Sequence, residues 1–143
     1  MEIEAANLEA EAIALAEKNN YNEAIQLLQK STEMAPNYPS PLNNLAQIYR
    51  LQKRNDLAMD ALNKAIELCG DDFPLVKRQA YAQRGWLHYG EEKTQEAAAD
   101  FEAAARLGCA ESAKMAVRCN PYARLCSSIM QEMLQKLYYS KPE

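Results

Sequence analysis

Apolar residues recur three and four positions apart along almost the whole chain, and short polar breaks interrupt them: KNNYNEA at 18–24, KRNDLA at 53–58 and EEKTQEA at 91–97. This spacing predicts helices joined in antiparallel pairs. Shifting the chain by 34 residues superposes Leu8 on Leu42, Ala12 on Ala46, Ala24 on Ala58, Leu28 on Leu62, Ser31 on Ala65 and Met34 on Leu68. A further shift of 39 brings Leu42 onto Tyr81, Ala46 onto Gly85, Ala58 onto Ala97, Leu62 onto Phe101, Ala65 onto Ala104 and Leu68 onto Leu107. A fixed period of this length means stacked supersecondary units. The expectation is one all-α domain over 1–143, with helix-turn-helix repeats at about 5–38, 39–72 and 77–110 and capping helices at 109–119 and 121–138.

Small residues mark where the paired helices approach: Ala12, Ala46 and Gly85 on the first helices, Ala24, Ala58 and Ala97 on the second. Leu15, Tyr49 and His88, with Leu28, Leu62 and Phe101, are the larger side chains expected to fill the space around them. Pro36 closes the first repeat. Ser40 before Pro41, and Asp72 before Pro74, are expected to cap the helices that follow. The segment NPYARLC, 120–126, sits at the end of the array, where the last helix pair needs a cover. Asn120 serves as the expected N-cap and Pro121 as the first residue of a final helix. Its stripe is Tyr122, Leu125, Cys126, Ile129, Met130, Met133, Leu134 and Leu137.

Composition narrows the function. Sixteen basic residues stand against twenty acidic ones among 143, so no broad positive field invites nucleic acid or an anionic membrane. No apolar run approaches the roughly 18 to 20 residues that span a bilayer, and the first residues are acidic where a secretory signal is basic, which points to the cytoplasm. Four cysteines without a C-x-x-C pair and one histidine argue against a metal site. Cys119 and Cys126 flank the NPYA segment as a redox pair or, more simply, as reduced thiols of a helical protein. His88 superposes on Tyr49 and Leu15 and reads as packing. No triad partner at helical spacing and no glycine-rich phosphate loop accompanies it, so the reading is non-enzymatic and without a cofactor.

The spacing of Leu42, Leu45-Ala46, Tyr49, Ala58, Leu62 and Ala65, with its upstream and downstream copies, resembles the tetratricopeptide repeat. NPYARLCSSIM after RLG at 106–108 resembles the tail of the tetratricopeptide repeat protein 36 family, whose usual acidic N-terminal extension does not precede the first repeat in this chain. The resemblance implies a right-handed superhelix whose first helices line a groove for a peptide or helix of a partner protein. In that register the lining is Glu9, Ile13 and Ala16, then Asn43, Asn44, Gln47 and Arg50, then Gln79, Gln83, Trp86 and Tyr89. Asn and Gln both donate and accept, so an amide-rich groove suits backbone hydrogen bonding without a charge requirement. Trp86 reads equally as an aromatic anchor or as core covered by the C-terminal helices.

The resemblance also implies a link to the seventy-kilodalton heat-shock chaperone. The carboxylate clamp of chaperone-binding tetratricopeptide domains is nevertheless incomplete here, because Glu9, Ile13, Gln79 and Gln83 occupy its positions and only Asn44 matches. The basic residues Arg50, Lys53, Arg54, Lys77, Arg78 and Arg84 are interleaved with polar ones and read as a solvated face. An adaptor that uses the groove is the first functional reading. A structural component of a cytoskeletal or ciliary assembly, contacting through convex surfaces and helix ends, is the alternative.

Overall fold

A computed structural model describes residues 2–139, and the side chains of these except Glu2, 121–124, Ser127, Tyr138 and Tyr139. The described chain consists of eight helices without a strand: α1 (Glu2–Glu17), α2 (Tyr21–Met34), α3 (Ser40–Leu51), α4 (Asn55–Cys69), α5 (Pro74–Gly90), α6 (Thr94–Arg106), α7 (Ala110–Cys119) and α8 (Pro121–Tyr139). Each helix packs on its successor, and the first helices of the repeats, α1, α3 and α5, also adjoin one another in a row. That layer is the inner face of a tetratricopeptide-type superhelix.

The repeat positions predict the core one by one. Ala12, Ala24, Leu28, Ala46, Ala58, Leu62, Ala97 and Phe101 are all completely buried. Ser31, buried at a position where the later repeats have alanine, donates its hydroxyl to the carbonyl of Ala5 at 2.8 Å, which satisfies its polarity. Gly85 is the third member of the small-residue series because its partner is an aromatic ring. A methyl group on Gly85 would stand 2.8 Å from Cε1 of Phe101.

The polar breaks close in one recurrent geometry. Asn19, Lys53 and Glu92 adopt left-handed backbone at φ 64°, 60° and 63°. The next amide then reaches back five residues: Asn20 to Leu15 at 2.9 Å, Arg54 to Tyr49 at 2.8 Å and Lys93 to His88 at 2.9 Å. These bonds cap the first helix of each repeat in the manner of a Schellman motif, with a non-glycine residue in the left-handed position. The five extra residues of the third repeat lengthen its first helix: α5 has 17 residues and α3 has 12. The crossing at Gly85 keeps its register.

Two expected caps are corrected. Ser40 begins α3 without capping it, and its hydroxyl donates to the Glu9 carboxylate instead. Asp72 does not cap α5: Phe73 takes that position in left-handed backbone at φ 54° and stacks on Tyr38 with ring centroids 5.9 Å apart. Among α2 to α7 only α7 has a side-chain cap, from Cys109, whose sulfur accepts from the amide and hydroxyl of Ser112 at 3.4 and 2.9 Å. Asn120 stands between α7 and α8 in extended backbone, its amide closing the end of α7 on Ala116 at 3.1 Å. Tyr122, placed by its spacing in the α8 stripe, lies outside the described side chains.

Two stability changes follow. Gly85→Ala gains helix propensity of up to about 1 kcal/mol, but it overpacks the Phe101 ring at a cost of roughly 1–3 kcal/mol, so urea unfolding will show a net loss. Phe101→Leu in the same chain will recover part of it. Glu92→Gly removes a left-handed penalty at an exposed turn and will raise stability by about 1 kcal/mol in the same assay.

Candidate partner-binding groove

The inner helices carry all of the expected groove residues, but most of the amides face each other. Asn43 is buried, and its Nδ2 donates to Oε1 of Gln79 at 2.9 Å. Gln83 donates Nε2 to Oδ1 of Asn43 at 2.7 Å and to its carbonyl at 3.3 Å, and Arg50 donates Nη1 to Oε1 of Gln83 at 3.3 Å. This network ties α3 to α5. Between α1 and α3 the same task falls to Glu9, a buried carboxylate that accepts from the Asn44 amide and the Ser40 hydroxyl. Asn44, the one residue matching a carboxylate clamp, therefore already holds a carboxylate of its own chain.

The open part of the groove is apolar at one end and mixed at the other. A cleft of about 260 Å³ is lined by Ile13, Ala16, Glu17, Leu28, Asn44, Gln47, Ile48 and Leu51. A second cleft, lined by Gln47, Arg50, Leu51, Asn55 and Leu87, shares Gln47 and Leu51 with the first. Ile13 is 43% exposed and Leu51 61%, large fractions for residues beside a cleft. Burial holds the Arg50 pKa below its ordinary value, and no carboxylate pairs with it among the described residues.

Trp86 is neither fully core nor fully free. Its ring packs edge-on against Phe101 at 5.4 Å and against Tyr89 at 5.9 Å, while 41% of Trp86 and 43% of Tyr89 remain exposed. α8 packs against α7 and leaves this aromatic pair open to solvent.

His88 acquires a carboxylate neighbour that its sequence spacing did not reveal. Buried Asp100 on α6 accepts a forked pair from Arg84, Nη2 to Oδ1 at 2.7 Å and Nε to Oδ2 at 2.9 Å. The bond to Asp100 raises the Arg84 pKa against the opposing effect of burial. Arg84 also donates to Asn63 at 3.0 Å, and His88 Nε2 lies 3.6 Å from Asp100 Oδ2. The cluster clasps α5 to α6.

None of the four cysteines forms a disulfide: Cys69 and Cys119 are buried, Cys109 is half-buried and Cys126 is exposed. Burial raises the Cys69 thiol pKa, with Lys77 opposing it. Among the described residues no group of three His, Cys, Asp or Glu converges as a metal site would require, and no helix is long and apolar enough to cross a membrane.

The Glu9 contacts make a stability prediction. Glu9→Ala strands the Asn44 amide and Ser40 hydroxyl between α1 and α3, and chemical denaturation will report a loss of about 1–3 kcal/mol.

Comparison with known proteins agrees with this architecture. The tetratricopeptide repeat family profile matches residues 9–73. A solved structure of the first tetratricopeptide domain of Spaghetti (RPAP3) bound to the HSP90 peptide SRMEEVD superposes with a TM-score of 0.73 at 23% identity, covering 83% of this chain and 92% of that one. The tetratricopeptide repeat protein 36 homolog of Drosophila melanogaster is 42% identical over 130 residues, 91% of this chain and 70% of the fly protein. Human tetratricopeptide repeat protein 36 is 34% identical over 130 residues, 91% of this chain and 68% of its own length. With this identity spread over nearly the whole of its length, the chain belongs to the tetratricopeptide repeat protein 36 family.

Proposed function

We propose that this chain is a protein-interaction module whose inner face seats a helical or extended segment of a partner, with apolar side chains in the cleft between Ile13 and Leu51 and an acidic group at Arg50. The observation that carries this reading is the exposed pair Ile13 and Leu51 beside a cleft whose neighbouring cation, Arg50, pairs with no carboxylate among the described residues. Apolar burial supplies the affinity, and the partly desolvated guanidinium supplies orientation, because a carboxylate reaching it gains a charge-assisted hydrogen bond. The exposed edge of Trp86 and Tyr89 gives a longer ligand an aromatic contact at the far end of α5.

The fold shared with the Spaghetti domain supports capture of a peptide, but not by a carboxylate clamp on its terminus. Seated in the carboxylate-clamp register of the sequence alignment, an acidic terminus such as that of SRMEEVD would meet Glu9, and like charges at contact repel by about 1 kcal/mol in water and by several when desolvated. A heat-shock chaperone that engages this chain would accordingly do so through an internal segment or another surface.

The test is affinity capture with quantitative mass spectrometry, followed by titration of the recovered partner. Leu51→Asp, Arg50→Met and Trp86→Ala each leave the amide network's donors to Asn43 and Glu9 in place. The expected result is affinity reduced by roughly tenfold or more for Leu51→Asp, the value typical of a buried anchor, with unchanged thermal unfolding. A partner that binds all three variants as it binds the wild type would overturn the groove reading.

A further inference from the structure

The end of the array leaves two apolar surfaces uncovered, and they differ in relief. On α8 the side chains of Leu125, Ile129, Met130, Met133, Leu134 and Leu137 are between 47% and 75% exposed. At 100° per residue they occupy about half of the helix circumference, wider than the seam of a two-stranded coiled coil and suited to a groove between two helices. The other surface is such a groove. Between α6 and α7 lies a shallow trough of about 320 Å³ lined by the small residues Ala105, Ala113 and Ala116 with Val117, by exposed Glu102 and Arg106 along its rim, and by Asn120 at one end.

We propose that α8 of one copy of this chain lies in the α6/α7 trough of a second copy, and reciprocally, forming a two-fold dimer. Three observations select this occupant. The first is area. Taking about 200 Å² for a whole Leu, Ile or Met, the six stripe residues leave roughly 700 Å² of side chain in water per copy, so a reciprocal contact reaches the ~1,200–2,000 Å² of a standard interface. Soluble monomers rarely expose so large a contiguous apolar patch. The second is shape: large branched and thioether side chains on α8 face a floor of alanines.

The third is charge. Glu132 and Lys136, four residues apart along one edge of the α8 stripe, match Arg106 and Glu102, four apart along the trough rim. An antiparallel seating sets Glu132 against Arg106 and Lys136 against Glu102. An anionic bilayer is a poorer occupant, because Ser128, Gln131 and Gln135 stand on the polar side of α8 and the sequence spacing adds to them a single cation, Arg124, where an interfacial helix carries several Lys and Arg. The covalent link also disfavours the chain's own trough. Asn120 alone separates α7 from α8, and with that single-residue link the stripe is left in solvent. A second copy has no such tether, and a reciprocal exchange closes without leaving an open end.

The experiment is sedimentation equilibrium of the full chain under reducing conditions, which excludes a disulfide through exposed Cys126. The expected species is a reversible dimer of twice the chain mass. Met130→Asp with Met133→Asp removes the inserted face, and Ala113→Glu fills the trough; each substitutes exposed residues and will raise the dissociation constant by roughly tenfold or more. Mixing the two variants restores one of the two contacts, so a heterodimer weaker than the wild-type dimer is expected. Val117→Lys, at a 48% exposed position, repeats the trough test should Ala113→Glu lose helicity by circular dichroism. A wild-type chain that stays monomeric at 100-fold the micromolar range, about 0.1 mM, overturns the proposal. A dimer lost with the α8 variant but indifferent to both trough variants overturns it too, because that pattern is α8 pairing with α8.

Discussion

Close approach of two helices at an alanine or glycine, with a large side chain filling the space beside it, governs this molecule. At the three crossings the small residues are Ala12 with Ala24, Ala46 with Ala58 and Gly85 with Ala97, and the fillers Leu28, Leu62 and Phe101 are completely buried. Helix separation is set there, and a methylene gained or lost is felt because the interior is close-packed. The other features accommodate it. Each intra-repeat turn is held to the same left-handed residue and the same five-residue hydrogen bond because the two helices it joins always cross at the same height. When five residues enter the third repeat, they extend the free N-terminal end of α5, where a longer helix disturbs no crossing.

A fixed crossing within each repeat leaves the contact between repeats to be specified separately, and polar side chains on the inner layer do much of that work. Glu9 holds Asn44 and Ser40 across α1 and α3; Asn43 exchanges hydrogen bonds with Gln79 and Gln83 across α3 and α5. Satisfied, part-buried networks are directional in a way that apolar packing is not, so they select one rotation of a repeat on its neighbour. The consequence for recognition is that four of the five inner-face amides, Asn43, Asn44, Gln79 and Gln83, are already occupied. Left exposed on this face are hydrocarbon at Ile13 and Leu51, the amide of Gln47 and the edges of two aromatic rings, with the half-buried guanidinium of Arg50 among them.

Helix pairing and the burial series are legible in the sequence because both depend on spacing along one chain, and the 34- and 39-residue shifts align every crossing. The inner-face membership of Asn43, Asn44, Gln79 and Gln83 follows from the same periodicity. Their hydrogen-bond partners do not, since a residue 35 or 40 positions away competes with solvent and ligand on geometry alone. The caps fail for a related reason. Ser40 has the chemistry of an N-cap, yet a buried carboxylate across the helix interface is a stronger acceptor requirement than one exposed helix amide. Phe73 in left-handed backbone, and a thiol at Cys109 in place of an oxygen cap, contradict residue preferences, and no local signal announces either.

The buried hydrocarbon forms two clusters, one running from α1 to Leu87 on α5 and a smaller one joining α6 to α7 through Phe101, Met115, Ala116 and Cys119. Between them stands the seam of α5 on α6, where Gly85 meets Phe101 and Arg84 forks onto Asp100. In a linear array, stability is a sum of repeat terms and nearest-neighbour interfaces, so this seam sets how strongly the two ends feel each other. A ring wedged at a glycine and a planar ion pair both demand one geometry; they transmit displacement better than interchangeable aliphatic contacts do. Trp86 rests on that same Phe101, with its other edge in solvent beside Tyr89. A group that displaced Trp86 would therefore act on a ring that shares the α5/α6 seam with the Arg84–Asp100 pair.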